Sequence, residues 1–262
     1  MADIKLTTVQ PTFFTNLGIT ERVVERSDQF QILGDFCQIV HVKLAPNQKV
    51  QVEPGVMCYM SDECKESVKL ANIGRIIMEG DLVKGFYENK SSSPGYIGLT
   101  SNLPGNIIPI NLDAMGGSIK AKRDGFMAAF DPKCKITMSL LASASLCGCC
   151  CADTPLFMQQ ITGKGWVFLS AHGTIMQKML KKDEEIVVEG NTLVACSSTM
   201  TCDAVYSGSC SMMVCGGEGL FNTSLKGPGL AILSSLPLDK LRKLFPVYPQ
   251  GSKKSAPDTT LA

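Results

Sequence analysis

The chain has 262 residues, enough for one large or two ordinary domains. Its 45% hydrophobic and 19% charged content describes a globular chain with ample core, and a formal net charge of +1 gives no bulk attraction to nucleic acid or anionic lipid. No apolar run approaches the ~18 residues of a spanning helix, and twelve cysteines in so long a chain, many in apolar runs such as those of Cys58 and Cys196, read as small buried hydrophobes rather than a disulfide framework.

Residues 1–27 form a polar lead-in with Pro11 and a Phe13-Phe14 pair that reads as an added strand. The opening Met1-Ala-Asp-Ile-Lys5 carries neither a basic-then-apolar signal pattern nor an Arg-rich transit pattern, so the expectation is a cytoplasmic protein.

From there one pattern recurs. Cys37-Gln-Ile-Val-His-Val-Lys-Leu44, Gly105-Asn-Ile-Ile-Pro-Ile-Asn-Leu112 and Gly173-Thr-Ile-Met-Gln-Lys-Met-Leu180 are spaced by about 68 residues, and each ends in Leu with Ile five positions earlier. A polar loop follows each Leu, then a short apolar segment (Val50-Val52, Ile119-Ala121, Ile186-Val188) and a turn. The turns end in Gly55, Gly125 and Asn191, residue types that tolerate positive φ. Leu to the last turn residue is 11 positions in the first and third copies and 13 in the second, the extra length lying beside Lys122 and Arg123. The strands after the turns, Val56–Met60, Phe126–Phe130 and Thr192–Cys196, are continuous enough to expect burial on both faces.

Short runs of Val, Ile, Met and Thr, broken every 8–12 residues by Gly, Asn, Asp and Pro, are the signature of a β-sandwich or barrel. The expected fold is all-β, with three repeat units near 30–70, 95–141 and 163–207 fused into one pseudo-threefold domain over 28–236. A bridge runs from Gly74 to Pro94 and includes an exposed loop, Tyr87–Pro94. Residues 237–262 read as a short helix, from Leu236 to Leu244 with a stop at Pro246, followed by a disordered tail.

Four places invite a chemical reading. Cys147, Cys149, Cys150 and Cys151 offer acylation, redox chemistry or a soft metal ion, but consecutive cysteines do not converge easily on one tetrahedral ion. The plainer reading is that small residues are needed at a tight connection. Gly216, Gly217, Glu218 and Gly219, with Gly227, Pro228 and Gly229, form turns or an anion-binding nest, and match neither a phosphate loop nor a dinucleotide fingerprint. Lys120, Lys122 and Arg123, and separately Lys178, Lys181 and Lys182, are basic clusters able to meet RNA phosphates. Asp183, Glu184 and Glu185 offset the second cluster, Trp166 is the sole tryptophan for stacking, and a solvated loop is favoured over RNA. The only histidines, His41 on an alternating strand and His172 before a turn, make no His-x-His or His-x-Asp set. No catalytic, cofactor or metal site is expected.

Pro54-Gly-Val-Met-Cys-Tyr-Met60, Gly163-Lys-Gly165-Trp-Val-Phe-Leu169 and Gly216-Gly-Glu-Gly-Leu-Phe-Asn-Thr-Ser-Leu-Lys-Gly-Pro-Gly229 resemble the altered-inheritance-of-mitochondria protein 24 family, in order and with matching spacing over about residues 28 to 236. That resemblance implies three fused copies of a subunit like that of the tryptophan RNA-binding attenuation protein, a short double-stranded β-helix. It implies no enzymatic activity and, for the fungal branch, a link to mitochondrial inner-membrane organisation. Where relatives have a Gly-rich connection before the third repeat, this chain has Cys147–Cys151. The expected function is a non-enzymatic scaffold or interaction protein linked to membrane or mitochondrial organisation, self-associating, with its protein partner unidentified. Membranes would be reached only through Cys modification or a partner. The alternative is a module that binds a small ligand or RNA in grooves between repeats.

Overall fold

The computed structural model describes residues 19–21, 27–70, 83–123, 125–140, 157–206, 221–237 and 240. The fold is all-β, built of antiparallel sheets. Two short strands lead, β1 (Ile19–Glu21) and β2 (Phe30–Leu33). Six follow: β3 (Ile39–Leu44), β4 (Lys49–Val52), β5 (Met57–Met60), β6 (Cys64–Leu70), β7 (Val83–Asn89) and β8 (Gly95–Thr100). The next six are β9 (Asn106–Asn111), β10 (Ser118–Lys122), β11 (Phe126–Ala129), β12 (Lys135–Leu140), β13 (Phe157–Thr162) and β14 (Trp166–Ala171). The last six are β15 (Ile175–Leu180), β16 (Glu185–Glu189), β17 (Leu193–Ser197), β18 (Thr201–Tyr206), β19 (Phe221–Lys226) and β20 (Gly229–Ser234).

Each six pairs in the same way. The first strand lies along the sixth (β3 on β8, β9 on β14, β15 on β20), and the third joins the sixth across a register shift. The second and fourth flank the fifth (β4 and β6 on β7, β10 and β12 on β13, β16 and β18 on β19). Successive sets then share sheets, because β11 pairs with β4 and β17 pairs with β10. Four sheets result, in the strand orders β2-β3-β8-β5, β6-β7-β4-β11-β14-β9, β1-β15-β20-β17-β10-β13-β12 and β16-β19-β18.

Three cores lie between these sheets. Strand alternation lets β14 serve two of them. Phe168 packs with Val40, Val42, Ile97 and Leu99 of the first set, while Val167 and Leu169 pack with Ile119, Ala195 and Ile232. The third core holds Leu180, Leu193, Cys196, Cys202 and Leu225. Phe30 meets Trp166 and Phe168 edge-on, each at 5.0 Å between centroids, the preferred geometry for aromatic quadrupoles.

Polar clasps fix the sets to one another. The buried Gln38 donates its amide N–H to the Gly105 carbonyl (3.0 Å) and accepts the Ile107 N–H on Oε1 (2.8 Å). Asn106 Nδ2 donates to the Gly173 carbonyl at 2.6 Å. Within the first set, Asn89, fully buried, donates Nδ2 to the carbonyls of Leu44 (3.0 Å) and Ser93 (2.8 Å) and accepts the Ser91 N–H on Oδ1 (3.0 Å).

Several elements differ from the sequence reading. Tyr87–Asn89 is not exposed loop but the end of β7, which is central in its sheet and has Tyr87 in the core; the loop is confined to 90–94. Gly95–Thr100 pairs with β3 and so completes the first set rather than opening the second. Of the three turn residues only Gly55 is left-handed (φ 91°). The recurrent left-handed positions fall earlier, after the terminal Leu of each copy, at Asn47, Gly116 and Gly117, and Asp183. By the strand registers the second copy is longer by one residue rather than two, and that residue lies between Leu112 and Ser118, at the 3-10 turn Asp113–Met115, and not beside Lys122 and Arg123. Phe13-Phe14 and, apart from Leu236, Pro237 and Lys240, the expected helix and tail lie outside the described residues.

Candidate functional site

Cys147, Cys149, Cys150 and Cys151, and likewise Gly216, Gly217, Glu218 and Gly219, lie outside the described residues. Gly227-Pro228-Gly229 forms the turn from β19 to β20. The Gly227 N–H donates to the Glu184 carbonyl (2.9 Å), Thr199 Oγ1 donates to the Pro228 carbonyl (2.8 Å), and Gly229 pairs with Leu180. A β-carbon at Gly227 would lie 2.8 Å from Leu180 Cβ, so glycine here lets two turns touch. These contacts are structural.

The Lys120 and Lys122 amines are engaged across the junction of the second and third sets. Lys120 Nζ donates to the Met200 carbonyl (3.1 Å) and Lys122 Nζ to the Asn191 carbonyl (3.3 Å), both partly buried, while Arg123 is exposed. A cavity of about 40 Å³ lies beside Lys122, Ser170, His172, Asn191 and Ser234. It has room for a few waters, not a metabolite. His172 is buried, and its Nδ1 is 2.7 Å from the Pro104 carbonyl, which requires the proton on Nδ1.

Among the described residues no three His, Cys, Asp or Glu side chains converge on a metal-sized site. Nor is any helix among them long and apolar enough to cross a membrane. Cys196 Sγ and Cys202 Sγ lie 3.5 Å apart in the third core as free thiols. The hydrogen bond to Cys202, together with burial, pushes the Cys196 thiol up, and the same bond lowers Cys202. Cys64 and Cys134 are buried as expected, but Cys58 is exposed.

That exposure belongs to the largest departure from the sequence reading. β11 and β17 are buried throughout, yet every residue of their counterpart β5 is exposed. The ladders make the comparison residue by residue. Tyr59 faces Gly98, Ala128 faces Phe168 and Ala195 faces Ile232. Each pair combines one large and one small residue, but in the first set the large one has moved to β5. Ala128, Phe168, Ala195 and Ile232 are at most 1% exposed, whereas Tyr59 is 37% exposed.

Around Tyr59 an aromatic face forms on the outside of the first sheet. Tyr59 Oη is 2.8 Å from His41 Nδ1, and His41 stacks on Tyr96 at 5.3 Å. Partial burial, with the nearby Cys58 and Tyr96, raises the Tyr59 phenol above its usual range. Met57 and Met60 are also exposed but pair with Leu99 and Ile97, so they stand on the other face of the same edge strand. Sequence reading missed this face because β5 looks as apolar as its counterparts. The available signal was the exchange of large and small residues between positions 59 and 98.

A family model described as mitochondrial biogenesis AIM24 matches residues 30–236. No curated protein matches the chain. The fold is similar to that of a Streptococcus pyogenes protein solved by X-ray crystallography, with a TM-score of 0.65 and 19% identity over 82% of this chain and 97% of that one.

Proposed function

This chain belongs to the mitochondrial biogenesis AIM24 family, and on that premise we propose that it works as a non-enzymatic interaction scaffold that presents the Tyr59–Tyr96 face to a protein partner. The observation that carries this reading is the exposure of β5 where the two equivalent strands are buried. Tyr and His side chains are typical of the centre of a protein interface, where aromatic bodies bury area and hydroxyls keep a polar contact, and exposed Lys43, opposite Tyr96 in the ladder, supplies a charged rim. The family description connects this work with mitochondrial biogenesis, and we infer that the protein serves that process from the cytoplasm or the organelle itself. A subunit fold like that of the tryptophan RNA-binding attenuation protein is part of the same reading, without its ligand or RNA chemistry. A ligand or RNA site between the sets has less support, given a water-sized cavity and two lysine amines bonded to carbonyls.

Complementation of a deletion strain tests the proposal. Tyr59→Asp and Tyr96→Asp should abolish rescue at unchanged protein level, while His172→Asn and Lys122→Gln, which lie away from the face, should leave rescue intact. Rescue by both aspartate variants would sink the reading.

A further inference from the structure

We propose that the partner on this face is a second copy of the chain, joined head to tail by adding β5 of one copy to β16 of the next. The inference rests on the interaction reading above and assigns its partner.

The chain contains the template for this junction twice. The third strand of one set pairs antiparallel with the second strand of the preceding set, as β11 on β4 and β17 on β10. Three sets leave one third strand and one second strand over, β5 at the start and β16 at the end. Among the described residues β5 is laddered only to β8, and β16 only to β19. Both edges are exposed, so they do not cover each other within one chain. Val187, in the middle of β16, is 59% exposed, whereas its counterpart in β4, Gln51, is 2% exposed.

The registers say which residues would meet. Lys49, Ser118 and Glu185 each face the fifth-strand residue that also faces Lys65, Lys135 or Thr201, and so hold one equivalent position. Three residues further on stand Val52, Ala121 and Val188. In the two internal junctions Val52 faces Ala128 and Ala121 faces Ala195, while Gln51 faces Ala129 and Lys120 faces Cys196. Tyr59 holds the place of Ala128 and Ala195, and Met60 that of Ala129 and Cys196. The junction between copies therefore sets Tyr59 against Val188 and Met60 against Val187, apolar against apolar. It would bring the exposed outer face of the first sheet over the third core, as the internal junctions do for Phe168 and Ile232. An uncharged edge such as Met57–Met60 is otherwise an aggregation site, and pairing it with a specific strand removes that hazard. Because the two edges differ, the contact is heterologous, and assembly proceeds to a closed ring or an open filament.

Sedimentation velocity on the full chain tests the proposal. Wild-type protein should sediment as a dimer or larger, in a concentration-dependent way. Met60→Asp and Val187→Asp should each be monomeric with an unchanged melting temperature, since both positions are exposed in the single chain. Aspartate is chosen because Lys120 shows that a long cationic side chain fits the position of Val187, while a short carboxylate cannot reach water from there. An equimolar mixture of the two variants should give a discrete dimer and nothing larger, because one intact edge of each kind remains. Alkylation of Cys58, whose counterparts are buried, should slow as protein concentration rises, with Cys37 labelling unchanged. Wild-type protein that stays monomeric, or variants that fail to restore a dimer on mixing, would overturn the assignment. If the chain is monomeric and Tyr59→Asp still abolishes complementation, the second copy is excluded and the interaction reading stands. If the chain assembles as described and complementation ignores the face, the reverse holds.

Discussion

Tyr59 lies directly over Gly98: a β-carbon at position 98 would sit 2.3 Å from Tyr59 Cε1 and 2.4 Å from its Cζ. The ring is held there by its hydroxyl, 2.8 Å from His41 Nδ1. Gly98→Ala should therefore lift the ring and break that bond. The expected cost is about 1–2 kcal/mol, typical of overpacking against a partly exposed neighbour. A lowered melting temperature together with a shifted His41 ring resonance is the readout. A silent substitution would mean that Tyr59 is free to leave its place.

Asn89 joins the end of β7 to Leu44, Ser91 and Ser93 through three hydrogen bonds from a fully buried side chain. Asn89→Ala would leave the Leu44 carbonyl and the Ser91 N–H without this partner. We expect a loss of about 2–4 kcal/mol, read by urea denaturation, since each orphaned buried group costs about 1–3 kcal/mol.

Glu184 accepts the Lys181 N–H on Oε2 (2.9 Å) and pairs with Lys178 Nζ through Oε1 (2.9 Å). These contacts, the backbone hydrogen bond first, hold its carboxyl below the usual carboxylate range. A depressed folded-state pKa means that the contribution is complete above the ordinary carboxylate value and is lost as pH falls through the lowered one. Carbon-detected titration should show Glu184 ionising more acidically than free glutamate. Glu184→Gln should remove that part of the acid dependence of stability, and an ordinary titration for Glu184 would contradict the prediction.

Native-state alkylation should separate the six cysteines among the described residues into two groups. Cys37 and Cys58 are exposed and should label quickly in dilute protein, while Cys64, Cys134, Cys196 and Cys202 are buried and should label only on unfolding. Cys196 should stay unmodified even at mildly alkaline pH, because its hydrogen bond to Cys202 and burial push its thiol up. Peptide mapping by mass spectrometry reads the result, and rapid native labelling of Cys196 would refute it.

Much of the fold was legible because burial leaves a periodic trace. The copies ending in Leu44, Leu112 and Leu180 became β3, β9 and β15 with their Leu residues in the cores, and the apolar segments after them became β4, β10 and β16. β7 was missed because Val83–Asn89 carries Lys84, Glu88 and Asn89, and its central place is secured by the Asn89 hydrogen bonds instead of by apolar alternation. The candidate face was not legible for another reason. Val-Met-Cys-Tyr-Met is an equally good buried strand and an equally good exposed edge, and only the partner strand decides between them. Lys120 and Lys122 illustrate the converse: charge in sequence suggested phosphate contact, while geometry turned the amines toward carbonyls across a junction.

The leading strand β1 has a consequence for how the chain matures. Ile19–Glu21 lies antiparallel along β15, with Ile19 opposite Lys178, so a segment synthesised early finds its partner in the last set of strands. While the chain emerges from the ribosome, β1 must wait for more than half the protein to be made. Final closure of that edge is thus a late event, and ribosome-stalled chains ending before residue 180 should leave the neighbourhood of Ile19 open to proteolysis, while chains long enough to carry β15 and its partner β20 clear of the ribosome protect it.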